Sequence, residues 1–100
     1  MQNTFRYKTV MVIDDTMMDR YISEKIMHKY LFAENVINMS SAIDALKYLN
    51  ALPPDASGIP KILFLDIRMP EMDGFELLSL MQDDPRLREI PVVIMSANES

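Results

Sequence analysis

The chain has 100 residues, which predicts a single domain spanning residues 1–100. Its formal net charge of −5 disfavours nucleic-acid binding, because binding a phosphate backbone requires a basic protein surface. It contains no cysteine, which excludes disulfides and thiolate chemistry, and no apolar run approaches the ~20 residues of a membrane span. These features predict a soluble, cytoplasmic protein that does not act on membranes.

Four apolar runs have the length and the β-branched composition of short strands. The first is stopped by two acids and is apolar throughout, as in a parallel strand that is buried on both faces. The third also ends on an acid, and the fourth ends on a serine. The predicted strands are residues 9–13, 36–39, 61–65 and 91–95.

Helical patterns separate these runs. The first is predicted over residues 16–31, the second begins with a cap formed by Ser41 and Asp44, and the third runs from Asp73 to about Gln82. The apolar residues at helical spacing are Met18, Ile22 and Ile26 in the first helix, Ala42, Ala45, Leu46 and Leu49 in the second, and Phe75, Leu78 and Met81 in the third. Strands that alternate with helices predict a parallel sheet with right-handed crossovers.

Polar residues follow three of the strands at the edge where such sheets bind ligands. They are Asp14 with Asp15, Asp66, and Ser96. A single aspartate there is usually a solvated loop residue or a helix cap, but three such ends predict a site. Two carboxylates ~4 Å apart repel by ~4 kcal/mol at an effective dielectric near 20, and a magnesium ion with oxygen ligands would offset this. Carboxylates around magnesium favour phosphoryl transfer, with Asp66 as the nucleophile.

Three motifs resemble the receiver domain of response regulators. Val12-Ile13-Asp14-Asp15 is similar to the family's first-strand acidic pair. Residues 66–74 match the signature D-x-x-M-P-x-M-D-G of its phosphorylation loop at every fixed position. Ile94-Met95-Ser96-Ala97 resembles the end of its fourth strand. The resemblance implies a doubly wound, flavodoxin-like parallel sheet with strand order 2-1-3-4.

The resemblance also implies a role for each matching residue. Asp66 would accept a phosphoryl group from the phosphohistidine of a sensor histidine kinase or a histidine phosphotransfer protein. Asp15 would bind Mg²⁺ directly and Asp14 through water, while the backbone carbonyl of Arg68 would add a ligand. Ser96 would turn its hydroxyl toward the phosphoryl group. Such a domain is a conformational switch with self-phosphotransfer and autodephosphorylation only, rather than an enzyme.

The sequence departs from the family after the fourth strand. The family's fifth strand, with its lysine and aromatic switch residue, and its last helices are missing, so we expect a domain that is incomplete at its C-terminus. Lys61 cannot replace the lysine, because it begins the third strand, and nothing in the sequence places Arg20 or Arg68. The uncovered fourth strand predicts a homodimer or a swapped assembly.

Other functions stay open at this point. The missing lysine favours a pseudo-receiver that docks a partner without phosphorylation. An aspartyl-phosphate phosphatase would place a second acid where Arg68 stands, and a flavin binder would have a phosphate loop after the first strand, so both are disfavoured. His28 is predicted to be a surface residue, neither a phosphodonor nor a metal ligand.

Overall fold

A parallel sheet with helices on both faces organises the chain in the computed structural model, which describes residues 4–53, 55, 58–66 and 74–95. None of the helices in these ranges combines the length and the apolar character that crossing a membrane requires. In chain order the elements are β1 (Tyr7–Ile13), α1 (Met17–Lys29), β2 (Ala33–Met39), α2 (Ala42–Asn50), β3 (Leu63–Asp66), α3 (Gly74–Gln82) and β4 (Val92–Met95).

The strands lie in the order β2-β1-β3-β4, and every neighbouring pair is parallel. This confirms the predicted fold class and strand order. Strand β1 is central, and its last four residues, 10–13, are fully buried, as the continuous apolar run predicted. Strand β2 begins earlier than predicted, because it already pairs with β1 at Tyr7 and Ala33.

The main core lies between the sheet and the pair α2 and α3. Side chains that alternate along β1 and β3 point to this face, where they meet one stripe of each helix. The fully buried members of this core are Met11, Ile13, Ala42, Ala45, Leu49, Leu63, Leu65 and Leu77. The inward positions predicted for α2 are therefore confirmed, and Leu46 packs against the core while partly exposed.

Both ends of α2 are held by side chains. Ser41 has extended backbone angles, and its Oγ accepts the Asp44 N–H at 3.0 Å, which confirms the predicted cap. At the other end, the Arg86 guanidinium donates to the backbone carbonyls of Leu52 at 3.0 Å and Pro53 at 3.3 Å. Both carbonyls lie just beyond Asn50, so these bonds hold the chain that leaves α2.

The buried face of α3 differs from the prediction. Phe75 was expected to face the sheet, but it is 63% exposed, while Gly74 and Leu77 are buried instead. Met81 is buried as predicted. The apolar residues of α3 occupy more than one helix face, so their spacing alone did not identify the face that packs on the sheet.

Helix α1 lies alone on the opposite face among the described helices, and none of its residues is buried. Its predicted apolar stripe is exposed to solvent, with Met18 62%, Ile22 46% and Ile26 52% exposed. Beside it lies an apolar groove of about 290 Å³ that Phe32 and Phe64 help to line. A second layer next to α1 would be needed to bury this stripe, and the described residues provide none.

Strand β4 is less buried than a strand in the middle of a sheet, because it has one neighbour among the described strands. Val93 is 40% and Ile94 41% exposed, in agreement with the uncovered fourth strand that the sequence predicted. The apolar sequence of β4 is nevertheless typical of a strand that is covered on both sides.

We expect Leu77→Ala to lower the free energy of unfolding by about 2–5 kcal/mol, because it leaves a cavity in the core between α3 and the sheet. Leu80→Ala, on an exposed position of the same helix, should cost about 1 kcal/mol or less. Urea unfolding of both variants measures the difference, and equal losses would contradict the assigned core.

Candidate functional site

Three carboxylates meet at the carboxyl edge of the sheet. Strands β1 and β3 pair in parallel with Ile13 opposite Leu65, so the residues that follow, Asp14 and Asp66, lie side by side. One carboxylate oxygen from each of Asp14, Asp15 and Asp66 lies within 4.8 Å of the other two. The structure thus brings together the acids that the sequence placed at two separate strand ends.

Local hydrogen bonds fix the turn that carries Asp14 and Asp15. The Asp14 N–H donates to the Met39 carbonyl at 3.0 Å, which continues the pairing of β1 with β2 beyond the strand. The Thr16 N–H donates to Asp14 Oδ1 at 2.9 Å, and the Thr16 hydroxyl donates to Asp15 Oδ1 at 3.4 Å. One oxygen of Asp14 is therefore engaged by the turn itself, just before α1 begins.

The electrostatics of the cluster oppose the charged form of Asp14. Its side chain is nearly buried at 8% exposure, whereas Asp15 is exposed and Asp66 half-buried. Burial raises the pKa of Asp14, the Thr16 amide opposes this shift, and the carboxylates of Asp66, Asp19 and Asp15 raise the pKa further. Carboxylate oxygens that lie this close and repel one another are suitable ligands for a hard divalent cation.

Arg20 is the cation that the sequence could not place. It lies in the second turn of α1, and its Nη1 donates to the backbone carbonyl of Asp14 at 2.6 Å. The side chain is half-buried, so it is packed against the turn rather than extended into solvent. By contrast, Lys61 is exposed and precedes β3, at the opposite edge of the sheet from Asp66.

Two of the predicted site residues, Arg68 and Ser96, lie outside the described residues, as does most of the signature loop, 67–73. Their roles stay predictions. Gly74, the last residue of that signature, is buried at the first position of α3. His28 is exposed, as predicted for a surface residue.

Sequence reasoning missed two groups that act on Asp14. The first is the Thr16 amide, although an aspartate two residues before a helix start is a common pattern for a side chain that bonds to the backbone. The second is Asp19, whose carboxylate raises the pKa of Asp14 from the first turn of α1. Its position one turn beyond the acidic pair was the available signal.

Comparison with known proteins identifies the family. The family model of the response regulator receiver domain matches residues 10–100. The chain belongs to this family. Receiver domains are the signalling modules of two-component systems rather than conventional enzymes. In this receiver, the predicted phosphoacceptor Asp66 lies at the acidic edge of the sheet.

Two curated plant response regulators are similar to this chain in sequence. The chain is 38% identical over 88 residues to the two-component response regulator ORR5 of Oryza sativa subsp. japonica, covering 88% of this chain and 60% of ORR5. It is 33% identical over 95 residues to ARR16 of Arabidopsis thaliana, covering 88% and 57%. The chain therefore spans less than two thirds of the length of these relatives.

A solved structure of the same fold is the N-terminal domain of a response regulator receiver protein from Methanoculleus marisnigri JR1. It has 32% identity and a TM-score of 0.77, and the match covers 94% of this chain and 69% of that one. The agreement extends to the four-stranded order described above, so the receiver fold is established for this chain.

We expect Asp14→Asn to stabilise the metal-free receiver at neutral pH. Because the folded state binds a proton at Asp14 more tightly than the unfolded chain does, the contribution of this group to stability falls as pH rises from the unfolded pKa of about 3.9 through the raised folded value. The asparagine keeps an oxygen for the Thr16 amide and removes the buried charge.

Thermal unfolding in EDTA between pH 3 and 7 measures this effect. The gain should be largest at pH 7 and vanish below the unfolded pKa. Glu34→Gln removes an equal charge at an exposed position of β2, and it should not reproduce the gain. A wild-type receiver that is more stable than Asp14→Asn at pH 7 without metal would refute the assignment.

Proposed function

We propose that this receiver is a phosphoacceptor switch in which Asp66 takes a phosphoryl group from a phosphohistidine. The donor would be a sensor histidine kinase or a histidine phosphotransfer protein. The observation that carries the proposal is the meeting of Asp66 with Asp14 and Asp15 at the carboxyl edge of the sheet, with oxygens within 4.8 Å. Membership of the receiver family supports the same chemistry.

In the transfer, a carboxylate oxygen of Asp66 forms a bond to phosphorus while the bond between phosphorus and the donor's imidazole nitrogen breaks. The imidazole leaves with the bonding electron pair, and Asp66 becomes an acyl phosphate. The half-buried position of Asp66 at the end of β3 supports this role, because it fixes the carboxylate on a rigid strand while leaving it partly accessible to a partner.

Asp14, Asp15 and Asp66, with the backbone carbonyl of Arg68, would hold a magnesium ion. When bound, the ion neutralises carboxylate repulsion and the charge that develops on the transferring oxygens. The raised pKa of Asp14 supports this assignment, because burial disfavours the charged form of this carboxyl and the carboxylates of Asp66, Asp19 and Asp15 disfavour it further. The hydroxyl of Ser96 would then bond to the phosphoryl group and report that Asp66 is occupied.

An apolar rim beside the cluster supports a protein as the phosphodonor. Met17 is 75% and Met18 62% exposed at the start of α1, immediately after Asp15 and Thr16, and Tyr21 is 57% exposed one turn further. Apolar and aromatic side chains around a reactive group are typical of protein interfaces. The chain has no cysteine, which suits a reducing compartment, and a cytoplasmic location is part of the proposal.

Incubation with Mg²⁺ and acetyl phosphate should add one phosphoryl group to the wild type and none to Asp66→Asn, because the amide lacks the nucleophilic oxygen charge. Intact-protein mass spectrometry measures the adduct. Asp44→Asn, on the exposed surface of α2, removes an equal charge away from the cluster and should be modified like the wild type.

A wild-type receiver that takes up neither a phosphoryl group nor beryllofluoride would overturn the phosphoacceptor proposal and favour a receiver that docks partners without phosphorylation. An adduct that persists in Asp66→Asn would place the phosphoryl group on another residue.

We also propose that the 100-residue chain self-associates through β4. This strand lies at the edge of the described sheet, and its exposed residues Val93 and Ile94 offer apolar area next to backbone groups that can pair with another chain. A homodimer or an exchange of strands would bury this apolar area and pair these backbone groups.

Val93→Lys should shift the chain from dimer to monomer, because a charge on an edge strand opposes pairing. Size-exclusion chromatography with light scattering measures the mass. Leu80→Lys changes a residue of equal exposure, 40%, on α3 instead of the sheet, and it should leave the dimer intact. A wild-type chain that is monomeric throughout would overturn this part of the proposal.

A further inference from the structure

The side chain of Arg20 is attached to the backbone of the acidic turn rather than to a carboxylate. Its Nη1 donates to the Asp14 carbonyl at 2.6 Å, a short bond in which the donor carries a charge. It is the half-buried charged residue of α1, whereas Asp19, Glu24 and Lys25 are exposed. Holding a flexible side chain in this way carries an entropy cost, so the contact has to be maintained by packing and hydrogen bonding.

The carbonyl that Arg20 holds belongs to the peptide between Asp14 and Asp15. A peptide group is planar, so fixing the direction of its C=O also fixes the N–H and the Cα of the next residue. Asp15 is that residue. The direction in which the Asp15 side chain leaves the backbone is therefore linked to the bond made by Arg20.

Asp15 has weak support of other kinds. Its side chain is exposed and accepts a bond from the Thr16 hydroxyl at 3.4 Å, which is long for a bond between a hydroxyl and a carboxylate. Asp14, in contrast, is buried and is tied through its N–H to Met39 and through Oδ1 to Thr16. The bond from Arg20 is thus the strong contact that bears on the orientation of Asp15.

We infer that Arg20 is a positioning residue that orients the Asp14–Asp15 peptide, and through it the Asp15 carboxylate, for divalent-cation binding beside Asp66. The inference rests on the proposed function, because it gives the acidic cluster a cation to bind. The bond from Arg20 also attaches the first part of α1 to the backbone of the acidic turn.

The test is the affinity for Mg²⁺, measured by isothermal titration calorimetry on the 100-residue chain without any phosphodonor. Arg20→Gln should weaken binding about 10-fold, the usual lower range for loss of a group that orients metal ligands. Arg20→Lys keeps a charged donor but not the planar fork, so it should lose about threefold, between Arg20→Gln and the wild type.

Arg86→Gln is the matched control. Arg86 is also half-buried, and its guanidinium also donates to backbone carbonyls, those of Leu52 and Pro53. Both Arg20→Gln and Arg86→Gln should lower the melting temperature, because each removes a bond to the backbone. Arg86→Gln should nevertheless leave the Mg²⁺ affinity within about twofold of the wild type. A purely structural role for Arg20 would make the two arginine variants alike in both measurements.

The outcomes separate the two proposals. A wild type that binds no Mg²⁺ overturns the proposed function and this inference with it. A wild type that binds, with Arg20→Gln unchanged or no weaker than Arg86→Gln, overturns the role of Arg20 alone. If Arg20→Gln does not fold, the Mg²⁺ affinity of Arg20→Lys is the test instead. A wild-type affinity in that variant would refute the inference.

Discussion

Mutual repulsion among the carboxylates of Asp14, Asp15 and Asp66 is the constraint on which the rest of the structure depends. Their oxygens approach within 4.8 Å, and one of the three side chains is nearly buried, so the arrangement is unfavourable without a counter-charge. The parallel pairing of β1 and β3 enforces it, because both strands end at the same edge. Stability contributed by the core between α2, α3 and the sheet offsets this cost, as is common at functional sites.

The central part of the fold and of the site could be predicted from the sequence, because those features depend on local patterns. The apolar run before Asp14 and the acid at the end of the third strand were enough to predict that Asp14 and Asp66 lie close together, as the pairing of β1 with β3 places them. The exposure of Ile22 and the orientation of Phe75 could not be predicted, since each depends on which neighbours pack against a helix. Spacing identifies an apolar stripe but not what covers it.

The position of Arg20 illustrates the same limit at the level of a single bond. An arginine five residues after Asp15 predicts nothing by itself, because its long side chain has many rotamers. The turn of α1 and the direction of the Asp14 carbonyl decide the contact, and both are tertiary features. The loop 67–73 and Ser96, which motif resemblance identified most directly, lie outside the described residues, so their roles still depend on that resemblance.

The unequal burial of the two neighbouring acids has a kinetic consequence. Asp14 is nearly buried while Asp15 is exposed, so among the described residues the cluster has an entrance for solvent on the side of Asp15. Within the described residues, ion exchange and the approach of water to the proposed acyl phosphate would use this entrance beside the start of α1. A protein seated on Met17 and Met18 would narrow that entrance, and the lifetime of a bound ion would lengthen for as long as the complex lasts.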